Sequence, residues 1–257
     1  MQPPGYYLDT AWPRVFAHRG LAVSAPENTL LAFQRAFEVG ATHLETDVHT
    51  SRDGVAIISH DPDLARLVGR RQRIGDLSAE ELLEIDLGHG QSFCTLEDAL
   101  TTFPTARFNI DVKDAGSIAS VASTVHATEA LERVLITSFS ERRRAAAVAL
   151  LPGVVSSASA SIVVRAVLGA RTGLRSNAGK SLTGLVALQI PERSAGIQLV
   201  TPRVIDAAHA AGLEVHVWTV NDPMAMRRLF ELGIDGIVTD RADVAAHVLR
   251  RDGDPPA

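Results

Sequence analysis

The last third of the chain constrains the fold most, because it repeats one set of signals. Thr201-Pro202 opens a segment that stops at Gly212, and Asp222-Pro223 opens another that stops at Gly233. A capping side chain, proline at the first helical position and glycine past the last are helix start and stop signals. Short β-rich runs follow, at Glu214 to Thr219 and Gly236 to Thr239. Strands that alternate with helices argue for a largely parallel sheet with crossover helices, an α/β architecture.

The same alternation is read upstream. Val15 to His18 is the first strand, and a helix starts near Asn28-Thr29, keeps Leu30, Phe33 and Phe37 on one face and stops at Gly40. Leu44 to Val48 is the next strand. It turns through Ser51-Arg52-Asp53-Gly54 directly into Val55 to Ser59, a gap too short for a crossover helix, so these two strands form a hairpin. Further strands are expected at Arg107 to Val112, Val134 to Ser138, Val154 to Ser157 and Leu185 to Leu188. With the two in the last third, that makes nine candidates. An eight-stranded barrel leaves one of them outside the ring, and the pattern does not say which.

Between His60 and Leu96 the sequence is polar and irregular, with Arg66, Arg70, Arg71 and Arg73 clustered and a capping box at Ser78-Ala79-Glu80-Glu81. So long a connection suggests a lid or a small insertion, at about residues 61–95, in an otherwise single domain spanning residues 1–257. The arginine cluster at Arg66 to Arg73 reads most simply as solvated surface, though near a pocket mouth it would attract anions. Arg171 to Ser181 is a second loop, and Asp252 to Ala257 is expected to be a disordered tail.

At 257 residues and 46% hydrophobic, the chain can bury one large core or two modest ones. A net charge of -5 argues against an electrostatic nucleic-acid binder. The single cysteine, Cys94, cannot form an internal disulfide and reads as a buried small apolar residue. Met1 to Arg14 has neither a basic nor an apolar leader region, and the apolar stretch Ile162 to Ala170 is short and carries Arg165, so no stable membrane insertion is expected. A cytoplasmic enzyme is the default expectation. Nothing in the sequence sets an oligomeric state.

Ionisable groups gather at the ends of three of these strands: His18-Arg19-Gly20, Glu45-Thr46-Asp47 and His60-Asp61. Strand ends are where barrels and open α/β sheets collect catalytic side chains. Glu45 and Asp47, two apart, share one face of an extended chain. Paired carboxylates repel unless a cation or a shared proton relieves them. Two histidines from other strands complete a small kit for acid–base and metal chemistry, which points to hydrolysis of an anionic substrate.

Phe16-Ala17-His18-Arg19-Gly20, Pro26-Glu27-Asn28-Thr29, Glu45-x-Asp47, Asp53-Gly54 and His60-Asp61, in that order, resemble the glycerophosphodiester phosphodiesterase family. Asn109-Ile110-Asp111-Val112-Lys113, Ser138-Phe139, Trp218-Thr219-Val220-Asn221 and Gly233 to Asp240 continue the resemblance across nearly the whole chain. It implies a TIM-type (β/α)8 barrel, a divalent metal ion, and hydrolysis of small glycerophosphodiesters to glycerol phosphate and an alcohol. In similar enzymes the 2-hydroxyl of the substrate glycerol attacks first, giving a cyclic phosphate that water opens.

The residues support roles beside that resemblance. Glu45 and Asp47, with Asp111 as the third carboxylate, offer hard oxygens suited to Mg²⁺ or Ca²⁺. The family usually has glutamate where this chain has Asp111, one methylene shorter. His18 and His60 are the general acid and base, in an order the sequence does not assign. Arg19 offers a planar fork and Lys113 a mobile point charge to the phosphate. Trp218 is either core or the floor of the substrate pocket. Glu27 and Asn28 are expected to fix the first helix, and Asp61 to orient His60. The remaining histidines, His43, His49, His89, His126, His209, His216 and His247, read as structural. Two other readings stay open: phospholipase D-like hydrolysis of lysophospholipids, and a non-catalytic barrel that binds phosphodiesters.

Overall fold

The computed structural model describes residues 6–172 and 184–250. In chain order its strands are β1 (Arg14–His18), β2 (His43–Thr50), β3 (Ala56–Ile58), β4 (Asp86–Gly88), β5 (Gln91–Ser92), β6 (Phe108–Val112), β7 (Val134–Thr137), β8 (Val155–Ser157), β9 (Leu185–Pro191), β10 (Arg193–Ser194), β11 (Ile197–Gln198), β12 (Glu214–Trp218) and β13 (Gly236–Thr239). The helices are α1 (Leu30–Glu38), α2 (Ala65–Val68), α3 (Ala79–Leu83), α4 (Leu96–Thr102), α5 (Ser117–Ala127), α6 (Glu141–Leu150), α7 (Ala160–Thr172), α8 (Pro202–Ala210), α9 (Pro223–Glu231) and α10 (Ala242–Leu249). Most of the expected loop at Arg171 to Ser181, and the expected tail at Asp252 to Ala257, lie outside the described residues.

Eight parallel strands run β1-β2-β6-β7-β8-β9-β12-β13 and close on β1, a TIM-type barrel with helices between successive strands. The strand outside the ring is β3. The first half of β2 pairs with β1, through His43 to Glu45, but β1 ends at His18. Val48 to Thr50 therefore keep a free edge, which β3 takes in antiparallel register. The sequence hairpin and the barrel closure thus have one cause: β2 is eight residues long beside a five-residue neighbour.

Helix boundaries follow the capping chemistry. Thr201 and Asp222 accept from Val204 N and Ala225 N with proline at the first turn, and Ser78 forms the reciprocal capping box with Glu81. Thr29 caps α1, but the buried face of that helix is Ala32, Phe33 and Ala36, not the expected Leu30–Phe33–Phe37 stripe. Rotation toward the two alanines lets the helix approach the barrel closely and leaves Phe37 48% exposed.

The large core lies between barrel and helices, where outward-facing Leu44, Val48, Phe108, Ile110 and Ile136 meet the helix faces. Inside the barrel, the end where the strands start is filled by Tyr7, Phe16, His43 and His216, with the Phe16 ring 4.5 Å from both imidazoles. Burial pushes His43 down to about 3, so it is a neutral packing residue. The segment between β3 and α4 has a small core of its own, Leu64, Ile74, Leu82, Ile85 and Phe93, packed on Ile57 of β3. Among the described residues no helix is long and apolar enough to cross a membrane.

Candidate active site

The carboxyl ends of the barrel strands open into a cavity of about 400 Å³ lined by His18, Arg19, Glu45, Asp47, His60, Asp111, Lys113 and Trp218, among others. Every candidate site residue from the sequence faces this one cavity. Strand register explains why. His18 lies beside Glu45, and Asp47 beside Asp111, in parallel pairs, so period-two alternation turns all four inward at neighbouring levels.

Gly20 shapes the turn that delivers His18 and Arg19. It has φ +82°, and a Cβ there would lie 2.6 Å from the Ala32 carbonyl carbon, so only glycine lets the loop rest on α1. Arg19 itself has φ +56°, held by its N–H donating to the Glu45 backbone oxygen at 3.0 Å and to Glu45 Oε2 at 3.1 Å.

Both histidines are anchored the same way. His18 Nδ1 lies 2.6 Å from Asp240 Oδ1, and His60 Nδ1 lies 2.7 Å from Asp61 Oδ1. A carboxylate only accepts, so each Nδ1 carries the proton and each Nε2 is left to exchange one with a ligand. Burial opposes the charged form of His18, but the Asp240 hydrogen bond and the Glu45 charge outweigh it and raise its pKa. Asn221 Nδ2 in turn donates to Asp240 Oδ2 at 2.7 Å. His49, expected to be structural, lies with Nε2 3.2 Å from the His60 carbonyl oxygen and Nδ1 3.0 Å from Asp114, bracing the loop that bears His60.

Lys113 bridges two of the acids: its Nζ is 2.7 Å from Asp47 Oδ1 and 2.7 Å from Asp111 Oδ2. Burial would raise Asp47, but the Lys113 ammonium outweighs it and holds that carboxyl low. Asp111 is raised by burial, against the pull of Lys113. Glu45, raised by burial and then by repulsion from Asp47, sits well above the usual carboxylate range. Among the described residues no three His, Cys, Asp or Glu stand ready-made as a metal site, and Lys113 bridges Asp47 and Asp111 instead. The donors are nevertheless hard oxygens, and Asp111 Oδ1 is buried with no hydrogen-bond partner, so their chemistry fits a hard divalent cation.

Trp218 is both things the sequence allowed. It packs on the inner-barrel cluster, and it lines the cavity with its ring 5.8 Å from Phe139. Glu27 does more than fix a helix: Oε1 accepts from Arg19 Nη1 at 3.0 Å and from Arg66 Nη2 at 2.6 Å. Asn28 Nδ2 lies 3.3 Å from Asp47 Oδ2. Asp240, Asn221, Arg66, Glu27, His49 and Asp114 are therefore the site residues that sequence reasoning did not place. Asp240, Asn221 and Glu27 stood inside the family motifs and Arg66 in the arginine cluster read as solvated surface; nothing local marked His49 or Asp114 as site residues.

Residues 18–244 match the profile of the Glycerophosphoryl diester phosphodiesterase family. A probable glycerophosphodiester phosphodiesterase 2 from Mycobacterium tuberculosis is 42% identical over 240 residues, covering 93% of this chain and 91% of the relative. The solved glycerophosphodiester phosphodiesterase of Agrobacterium tumefaciens superposes with TM-score 0.74 at 26% identity, over 91% of this chain and 99% of that one. A phosphodiesterase of Oleispira antarctica, solved in complex with the product sn-glycerol-3-phosphate, shares the fold with TM-score 0.75 at 23% identity, over 93% of this chain and 98% of that one. With its barrel, its strand-end site and a match running through both, the chain belongs to the glycerophosphoryl diester phosphodiesterase family.

Proposed function

We propose that this protein hydrolyses small glycerophosphodiesters, such as glycerophosphocholine or glycerophosphoethanolamine, to glycerol 3-phosphate and an alcohol. The carrying observation is that two carboxylate-anchored histidines face the cavity that also holds Arg19 and Lys113. One imidazole takes the proton of the attacking hydroxyl as its oxygen bonds to phosphorus. The other gives a proton to the alkoxide as the phosphorus–oxygen bond breaks. Arg19 and Lys113 offset the negative charge that builds on the phosphoryl oxygens. Glu45, Asp47 and Asp111 would hold a divalent ion, Mg²⁺ or Ca²⁺, which when bound supplies charge neutralisation at the phosphate.

The test is turnover of glycerophosphocholine with Mg²⁺, Ca²⁺ or chelator. His18→Ala and His60→Ala are each expected to lose roughly 10²-fold or more in kcat while keeping any metal-induced thermal shift of the wild type. A His18→Ala enzyme at full rate would refute the acid–base assignment.

One observation favours a second reading. The wall facing the charged groups is apolar, built by Val163, Val164, Leu199, Pro191, Phe139 and Trp218, with Phe139 58% and Val164 56% exposed. A wholly polar substrate gains little from such a wall, whereas a lysophospholipid could lay its hydrocarbon chain there. A higher kcat/KM for lysophosphatidylcholine than for glycerophosphocholine decides for it.

A further inference from the structure

Arg66 stands outside the cavity lining, on the four-residue helix α2 between β3 and α4, yet both halves of the site run through it. Its Nη1 and Nη2 donate to Glu27 Oε2 and Oε1 at 3.0 and 2.6 Å, and its Nε donates to Asp61 Oδ2. Asp61 uses its other oxygen to hold His60 Nδ1 at 2.7 Å, and Glu27 holds Arg19 Nη1 at 3.0 Å. One planar guanidinium thus ties the proton-transfer arm to the phosphate-binding arm.

We propose that Arg66 is a positioning residue that sets His60 through Asp61 and Arg19 through Glu27, which gives the segment between β3 and α4 a role in turnover. The inference rests on the reading of His60 and Arg19 given above. Three features carry it. The fork geometry needs arginine, since a lysine ammonium cannot serve Glu27 with two parallel bonds while also reaching Asp61. The platform is fixed: Leu64 and Ile74 beside α2 are buried in the segment's own core, and the backbone bonds Leu64 N to Gln72 O and Ile74 N to Pro62 O brace the loop. Finally, the Arg66 side chain is 46% exposed, so its ion pairs contribute little to folding and their consequence is orientation.

The experiment compares wild type, Arg66→Ala, Arg66→Lys, Asp61→Asn, Glu27→Gln and the two double variants containing Arg66→Ala. Each is assayed for kcat and KM on glycerophosphocholine and lysophosphatidylcholine, for melting temperature, and for the ¹⁵N resonances of the His60 ring without substrate. Arg66→Ala is expected to lower kcat/KM about tenfold or more through both parameters, with melting little changed. Asp61→Asn should move mainly kcat and Glu27→Gln mainly KM. Each double variant should fall well short of the product of its singles, and Arg66→Lys should recover only part of the loss. The His60 resonances in Arg66→Ala should move toward those of Asp61→Asn. Arg66→Ala within twofold of wild type, Arg66→Lys equal to wild type, or multiplicative doubles would each overturn the proposal. Should the wild type turn over neither substrate, the functional reading fails, and the His60 resonances alone decide whether Arg66 positions that ring.

Discussion

Glu214→Gln tests whether the end of the barrel remote from the cavity is held together by charge. Arg14 Nε and Nη2 donate to Glu214 Oε2 and Oε1, both at 2.7 Å, and His216 Nε2 lies 2.9 Å from Oε2. Burial would raise this carboxyl, but the hydrogen bonds from Arg14 and His216 outweigh it and hold its pKa at about 2 against an ordinary 4.5. That difference is worth about 3 kcal/mol of stability near neutral pH, or nearer ~2 once solvent screening is allowed for a side chain 20% exposed. The folded value is depressed, so the contribution is complete above 4.5 and is lost as pH falls through about 2. By about pH 3 it should already have shrunk by ~2 kcal/mol. Denaturant titrations of both proteins at neutral pH and at about pH 3 should therefore show a variant less stable by roughly 2–3 kcal/mol in the first case and by only about 1 kcal/mol in the second. A deficit under about 1 kcal/mol near neutral pH, or one unchanged at low pH, refutes the reasoning.

Three further outcomes are expected. Asp240→Asn removes the negative charge from the acceptor whose hydrogen bond most raises His18, so the limb of the kcat/KM profile governed by His18 should move to lower pH; an unmoved profile would detach the Asp240 charge from that imidazole. Gly20→Ala should destabilise by about 1–3 kcal/mol, because φ +82° and the 2.6 Å approach to Ala32 leave no room for a methyl; an unchanged melting temperature would contradict it. Asp111→Glu restores the usual family residue: calorimetry with Mg²⁺ and Ca²⁺ should show tighter binding, and unaltered affinity and rate would mean that the shorter side chain costs nothing.

Much of the fold was legible because its signals are local. Thr201-Pro202 and Asp222-Pro223 state their helix starts within two residues, and Ser51 to Gly54 states its hairpin within four. All nine expected strands form, yet which one leaves the ring depended on the relative lengths of β1 and β2, a property of their pairing. The site divides along the same line. His18, Arg19, Glu45, Asp47, His60, Asp111, Lys113 and Trp218 sit at strand ends or in compact motifs and could be found. The links from Arg66 to Glu27 and from His49 to Asp114 span 39 and 65 positions, and no spacing rule reaches that far. Phe37 failed for a different reason: the helix turned its alanines inward to pack closely, which periodicity alone does not rank.

The two ends of the barrel use buried charge in opposite ways. Around Glu214, the acid, Arg14 and His216 satisfy one another, and Tyr7 Oη is the one described buried side-chain atom at that end with no hydrogen-bond partner. At the cavity end the polar groups are left short. Of the four described buried side-chain atoms with no hydrogen-bond partner, Arg19 Nε, Asn109 Oδ1 and Asp111 Oδ1 all belong to residues lining the cavity. Native folds rarely leave such atoms unpaired, and they persist where a ligand completes them. The deficit also has a sign: two oxygens lack a donor or a cation, while one guanidinium N–H, Arg19 Nε, makes no hydrogen bond and has only the Asp47 carboxylate 3.4 Å away. A ligand that cures it must bring anionic oxygen together with hydroxyl hydrogen or positive charge. A glycerophosphodiester, the substrate class proposed above, carries both: a phosphate to offer Arg19 and glycerol hydroxyls to offer Asn109 and Asp111.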